Sequence, residues 1–168
     1  DAALMGARGN SGIIFAQFLY GFSKDIQDKP TMTIKEFAGN MKIASECAYY
    51  ALAKPKEGTI ISVIKDWANN INENCDNTDD FTTLLLNGLN VAMESLKETG
   101  KFIAAKAKTI VDAGAKGFVV FLELIRIRVQ VFEMGSAGCR DAQSENREEN
   151  ILRYAQNDIF IFHIQSSH

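Results

Sequence analysis

A glycine-rich segment near the start of the chain has the residue types that hold phosphate. Residues 6–12 read GARGNSG and run into apolar residues that repeat at helical spacing. The first N–H groups of a helix have no intrahelical partner and attract anions, and glycine lets an anion approach the main chain. Asn10 and Ser11 add side-chain donors. The segment predicts an anion site at a helix N-terminus, with an ordinary Gly-Asn-Ser turn and helix cap as the alternative.

Two later segments also stand where a loop becomes a helix. Residues 54–60 read KPKEGTI and residues 110–114 read IVDAG. Gly58 and Thr59 open a helix in the manner of the first segment, so they are candidates to face the same ligand. The alternative for Thr59 is a simple helix cap, because its hydroxyl can accept a hydrogen bond from an early N–H group.

The chain that must position these segments is predicted to be all-α, an antiparallel helical bundle or barrel with the site at one end. Apolar residues recur at helical spacing, connections are short, and no segment before Leu124 alternates for long. Gly88 is expected to permit close packing between helices. The predicted helices run from Ile13, from the capping box Thr33 to Glu36 up to Leu52, from Ile60 to about Cys75, from Thr78-Asp79-Asp80 to a stop at Gly100, and from Phe118 to Glu123 onward.

The pattern changes after Leu124. Residues 125–131 alternate with period two, which suits a strand but conflicts with the helix leading into them. Residues 135–150 are polar, and residues 159–164 form an apolar patch of high β-propensity. We therefore divide the chain into a helical domain, 1–124, and a divergent tail, 125–168. A non-native tail and a lineage-specific extension are the two interpretations of the latter.

Composition narrows the possible partners. The 168 residues are 46% hydrophobic and 23% charged, which predicts one globular domain with a core. A net charge of −3 shows no basic footprint, so nucleic acid is not expected as a partner, and no apolar run is long enough to span a membrane. Cys47, Cys75 and Cys139 lack metal or disulfide spacing and are interpreted as free thiols in a cytoplasmic protein. The chain begins at Asp1, which suggests a fragment.

The three segments together resemble a known family. Residues 3–12, 54–60 and 110–114 are similar, in the same order, to motifs of the dihydroxyacetone kinase L-domain family, especially its fatty-acid kinase branch. The resemblance covers roughly residues 1 to 124. It implies a helical domain that binds ATP and transfers the terminal phosphate to a fatty acid presented by a separate binding protein. The alternatives are a dihydroxyacetone (glycerone) kinase L-type subunit and a non-catalytic helical interaction module. A homodimer formed through the remainder of the protein is a further expectation.

The resemblance also implies roles for individual residues. Asp112 is a candidate for contacting the ribose or orienting a neighbouring loop, with a plain helix cap as the alternative, and Arg8 and Lys116 either approach the phosphates or are solvated. The family's continuation is richer in glycine and has an amide where this chain has Ala115 and Lys116, so the resemblance does not define the shape of the pocket here. The nucleotide and phosphate candidates are Gly9, Asn10, Ser11, Gly12, Gly58, Thr59, Asp112 and Gly114.

The family's magnesium ligands are not found in this sequence. Family members hold magnesium with aspartates in a glycine-rich motif upstream of the phosphate loop, and no Asp-Gly-Asp occurs here. ATP and magnesium are the expected cofactors, with metal ligands expected upstream of this chain. The clustered Asp76, Asp79 and Asp80 have the pattern of a helix N-terminus rather than of a replacement site. His163 and His168 lie in the tail and are not candidate bases. The chain alone is expected not to transfer phosphate.

Overall fold

A computed structural model describes residues 5–26, 31–103 and 111–137 of the chain. Within these ranges it is helical with no strand, so the prediction of an all-α fold is confirmed. Five helices follow one another: α1 (Gly9–Ser23), α2 (Ile34–Tyr49), α3 (Ile60–Asn74), α4 (Phe81–Ile103) and α5 (Ala113–Ala137). Helices that are successive in the chain, α1 to α4, pack on one another.

Local caps determine where several helices begin. Thr33 and Glu36 form the predicted capping box, in which the Thr33 hydroxyl accepts from the Glu36 N–H and the Glu36 carboxylate accepts from the Thr33 N–H at 2.9 Å. Asp80 caps α4 by accepting hydrogen bonds from the N–H groups of Thr82 and Thr83, at 3.2 and 3.0 Å. These two starts are where the sequence predicted them.

The prediction that Gly100 ends α4 is wrong. The helix continues to Ile103, and Lys101 forms an ion pair with Glu98 one turn back, at 2.7 Å. A glycine in a helix costs about 1 kcal/mol relative to alanine, which lowers helix stability without ending the helix. The last helix also begins earlier than predicted, at Ala113 rather than near Phe118.

The core is centred on Trp67 of α3, the single tryptophan, which is 2% exposed. Its ring lies against Phe18 of α1, Phe37 of α2 and Phe118 of α5, with centroid separations of 6.2, 6.4 and 5.9 Å. The fourth neighbour is α4, where Gly88 packs on the indole. Aromatic rings attract one another at such separations beyond the burial of their surface, so this cluster ties the five helices together.

Two glycines permit close approach of neighbouring helices. A Cβ at Gly88 would lie 2.8 Å from Trp67 Nε1 and 2.9 Å from Ile71 Cδ1, and one at Gly21 would lie 2.8 Å from Ala44 Cα. No side chain fits at these distances without a shift of its neighbours. The predicted role of Gly88 is confirmed, and Gly21 has the same role between α1 and α2.

The chain divides into two compact units, Asp1–Leu124 and Ile125–His168. Within the second, α5 continues through residues 125–131, so the strand suggested by their alternation is wrong. Arg126 donates to the Gln130 side chain at 3.0 Å, a pairing that requires helical spacing. Cys139, His163, His168 and the apolar patch at 159–164 lie outside the described residues, and the origin of the tail stays a prediction.

None of the helices in the described ranges combines the length and the apolar composition needed to cross a membrane.

Candidate functional site

The glycine-rich segment forms the first turn of α1 rather than a loop in front of it. The helix begins at Gly9, whose φ of +66° favours glycine. Arg8 is extended at the N-cap position, its side chain makes no capping hydrogen bond, and the first turn contains no acidic residue. Arg8, Gly9 and Asn10 are exposed, while Ser11 and Gly12 are partly buried. This N-terminus lacks the side-chain cap that α2 and α4 have.

Asp112 joins the third segment to the second. Its Oδ1 accepts from the Ala115 N–H at 2.7 Å, which makes it the N-cap of α5. The same oxygen accepts from the Ile60 N–H at 3.1 Å, at the start of α3 and 52 positions away in the chain. The Asp112 N–H donates to Thr99 Oγ1 of α4 at 3.2 Å. One residue therefore fixes the starts of α3 and α5 to each other and to α4.

Gly114 joins the third segment to the first. A Cβ placed at Gly114 would lie 2.7 Å from Ser11 Cβ and closer still to Ser11 Oγ, and 3.3 Å from Asp112 Oδ1. Ser11 Cβ and Asp112 Oδ1 are therefore at most about 6 Å apart. The contacts of Gly114 and Asp112 bring all three segments together, which confirms the expectation that their helix starts cluster.

Gly58 and Thr59 of the second segment form hydrogen bonds with residues close to them in the chain. Gly58 has a φ of +76°, and its N–H donates to Ser62 Oγ at 2.9 Å. The Thr59 hydroxyl donates to the Lys56 carbonyl at 2.7 Å and accepts from the Ile61 N–H at 3.4 Å. Thr59 is thus a helix cap, the alternative that the sequence left open, and the Gly58 amide already has a partner.

Positive side chains outnumber negative ones in and directly beside the three segments, whose acidic residues are Glu57 and Asp112. Arg8, Lys54 and Lys56 lie in the segments and Lys116 lies two residues beyond the third; all four are exposed, and within the described part of the chain none of them is in an ion pair. Glu57, by contrast, accepts from the Ser62 hydroxyl and lies 3.7 Å from Lys65. The chain as a whole is acidic, but these segments favour an anion.

Comparison with known protein families matches residues 1–126 to the DAK2 domain. The chain belongs to the DAK2 domain family. Uncharacterized proteins of Staphylococcus epidermidis and Staphylococcus aureus are 39% and 40% identical to it over 121 residues, which is 71% of this chain and 22% of each relative. One from Staphylococcus saprophyticus is 40% identical over 118 residues, 70% of this chain and 21% of the relative. The chain thus spans about a fifth of the length of the curated relatives it matches.

Sequence reasoning missed Thr99, which holds Asp112 in the candidate site of this DAK2 domain. Thr99 is fully buried, and its hydroxyl donates to the Leu96 carbonyl at 2.7 Å while it accepts from the Asp112 N–H. A signal was present, since Thr99 follows the inward positions Leu89, Ala92 and Leu96 at helical spacing. A polar residue at a core position of a helix needs a hydrogen-bond partner.

The acidic side chains of this DAK2 domain do not cluster within the described residues. No three His, Cys, Asp or Glu side chains among them are placed to hold one ion. Asp80 caps α4, and Asp76 pairs with Lys35 at 2.7 Å. Both of these carboxylates therefore already have partners within the protein. Cys47 and Cys75 are free thiols, as predicted.

Proposed function

We propose that this DAK2 domain holds the phosphates of ATP at the N-terminus of α1. The observation that carries the proposal is the unequal capping of three clustered helix starts. Thr59 and Asp112 already accept from early N–H groups of α3, and Asp112 does so for α5. The N-cap side chain of α1 makes no such bond, and Ser11 of this first turn contacts Gly114 at the start of α5. Among the described residues, the α1 start is therefore the one of the three with no side-chain cap at its N-cap position, which favours an anion there.

The side chains around α1 suit a triphosphate. Ser11 supplies a hydroxyl donor beside main-chain N–H groups, Gly9 has open space where a side chain would be, and Asn10 is exposed, whereas Gly12 is partly buried against Ala7. Arg8 and Lys116 are exposed cationic side chains that can turn toward a bound phosphate. Phosphoryl transfer depends mainly on binding the phosphates and neutralising their charge, and little on covalent chemistry by the protein. These residues would donate hydrogen bonds to the phosphates and neutralise part of their negative charge.

The proposed reaction of the longer protein is transfer of the terminal phosphate of ATP to a fatty acid carried by a separate binding protein. This choice of acceptor is supported by the resemblance of residues 3–12, 54–60 and 110–114 to the fatty-acid kinase branch. Transfer to dihydroxyacetone is the second candidate, and it has the same nucleotide site.

The nucleotide site is tested by titrating the chain with ATP and following the amide signals of residues 9–12 by NMR. Ser11→Ala should weaken binding about tenfold or more, the expected effect of removing a hydrogen bond to a charged group. Ser23→Ala is the matched control, since Ser23 ends the same helix and its hydroxyl donates to the Tyr20 carbonyl. Equal affinities of the two variants would contradict the proposal.

The reaction is tested with magnesium, a fatty acid and its binding protein, or with dihydroxyacetone in their place. We expect this chain alone to transfer no measurable phosphate. The same chain extended upstream by the family's aspartate-rich segment should transfer phosphate in the mixture that contains the fatty acid and its binding protein. Ser11→Ala should lower that activity. Full activity of the unextended chain would show that this chain contains a metal site. A preference for dihydroxyacetone would make it, rather than the fatty acid, the favoured acceptor.

A further inference from the structure

Resting on the proposed function, we infer that Asp112 is a positioning residue, which holds the start of α3 against the start of α5 so that Ser11 is correctly placed for the nucleotide. It does this with one carboxylate oxygen. Asp112 Oδ1 accepts from Ala115 in its own helix and from Ile60 in α3, at 2.7 and 3.1 Å.

The position of Asp112 is itself fixed by α4. Its N–H donates to the buried hydroxyl of Thr99, which in turn donates to a carbonyl of α4. A buried donor left without a partner costs free energy, so this chain of hydrogen bonds resists displacement of Asp112. Two residues further on, Gly114 packs directly on Ser11. A shift of Asp112 therefore displaces Ser11, because Gly114 and Ser11 lie so close that no Cβ would fit between them.

The negative charge of Asp112 disfavours phosphate binding, although its oxygen is needed to accept the two hydrogen bonds. Asp112 Oδ1 and Ser11 Cβ are at most about 6 Å apart, because both lie close to the same point beside Gly114. A negative charge this close to Ser11 repels a phosphate that binds to the Ser11 hydroxyl. A residue that contacts the nucleotide would lose affinity when changed to asparagine. A residue that only positions would keep it, since asparagine retains the acceptor oxygen and lacks the charge.

Three substitutions separate the two hydrogen bonds. Asp112→Asn keeps an oxygen that can accept from both N–H groups. Asp112→Ser keeps the cap of α5, because serine is a good N-cap residue, but it is too short to reach Ile60. Asp112→Ala keeps neither. The measurements are amide hydrogen exchange by NMR on the ligand-free chain and the Kd for ATP, after far-UV circular dichroism has shown that each variant is folded.

The Ile60 amide should exchange about tenfold faster in the serine and alanine variants and at the original rate in the asparagine variant. The Ala115 amide should exchange faster only in the alanine variant. ATP affinity should fall about five- to tenfold in the serine variant and be equal or higher in the asparagine variant.

Unchanged Ile60 exchange in the serine variant, or loss of ATP affinity in the asparagine variant, would overturn the positioning role. If the alanine variant does not fold, the serine and asparagine variants decide the question by themselves. If the unsubstituted chain binds no ATP but its variants show the expected exchange pattern, the proposed function is overturned and the two hydrogen bonds of Asp112 are not, since the exchange is measured without nucleotide.

Discussion

The contact between Gly114 and Ser11 allows the cluster of helix starts to be tested without any ligand. Gly114→Ala places a Cβ 2.7 Å from Ser11 Cβ, where ordinary contacts between such atoms are about 3.5–4 Å. The Ser11 hydroxyl can rotate away, but its Cβ is fixed to the backbone of α1. Overpacking of this kind costs about 1–3 kcal/mol, which we expect as the loss in the free energy of unfolding.

Gly117→Ala is the matched control for this substitution. Gly117 lies three residues further along α5, and a Cβ there would meet nothing within 4 Å. The control should raise the free energy of unfolding by up to about 1 kcal/mol, because alanine favours helix over glycine. Both variants are compared by urea unfolding followed by far-UV circular dichroism.

Removing atoms from Ser11 should relieve the clash in two steps. Ser11→Ala removes Oγ and leaves the contact between the two Cβ atoms, so it restores part of the stability lost in Gly114→Ala. Ser11→Gly removes both atoms and should restore more, after correction for the single substitution by a double-mutant cycle. A Gly114→Ala variant as stable as Gly117→Ala, or a coupling energy near zero, would refute the contact and with it the link between the first and third segments.

Two further predictions concern other parts of the fold. Gly88→Ala should destabilise the protein by about 1–3 kcal/mol in urea unfolding, because the new Cβ would meet Trp67, whereas Gly39→Ala in α2, with nothing within 4 Å, should not. The Thr83 hydroxyl, followed by the N–H groups of Thr83 and Thr82, lowers the pKa of Asp80, so its charged form stabilises the fold at neutral pH and this contribution is lost as the pH falls below about 4. Asp80→Ala should therefore cost about 1 kcal/mol at pH 7 and less at pH 3, and a difference that does not shrink in acid would contradict this assignment.

Features set by neighbouring residues could be predicted from the sequence. The capping box of Thr33 and Glu36 and the cap at Asp80 depend on residues within one helical turn, and the core positions of α3 follow from apolar spacing. Each of these signals is contained in a few consecutive residues. The all-helical fold class could be predicted for the same reason.

Features set by tertiary contacts could not be predicted. The hydrogen bond between Asp112 and Ile60 joins residues 52 positions apart, and nothing in either segment specifies the other. In the sequence Asp112 was a candidate for a helix cap, a ribose contact or the orientation of a neighbouring loop, and which segment it bridges to depends on how α3 and α5 pack. The strand interpretation of residues 125–131 failed because alternation over seven residues is weak evidence against a helix that already runs into them.

The placement of Trp67 gives this protein an internal optical probe. The only indole in the chain touches a residue from each of the other four helices, so its emission depends on whether all five have assembled. A folding intermediate that lacked α5 would leave one side of the ring open to water and shift its emission toward longer wavelengths. Stopped-flow fluorescence can therefore follow the assembly of the helices around Trp67 without an added label.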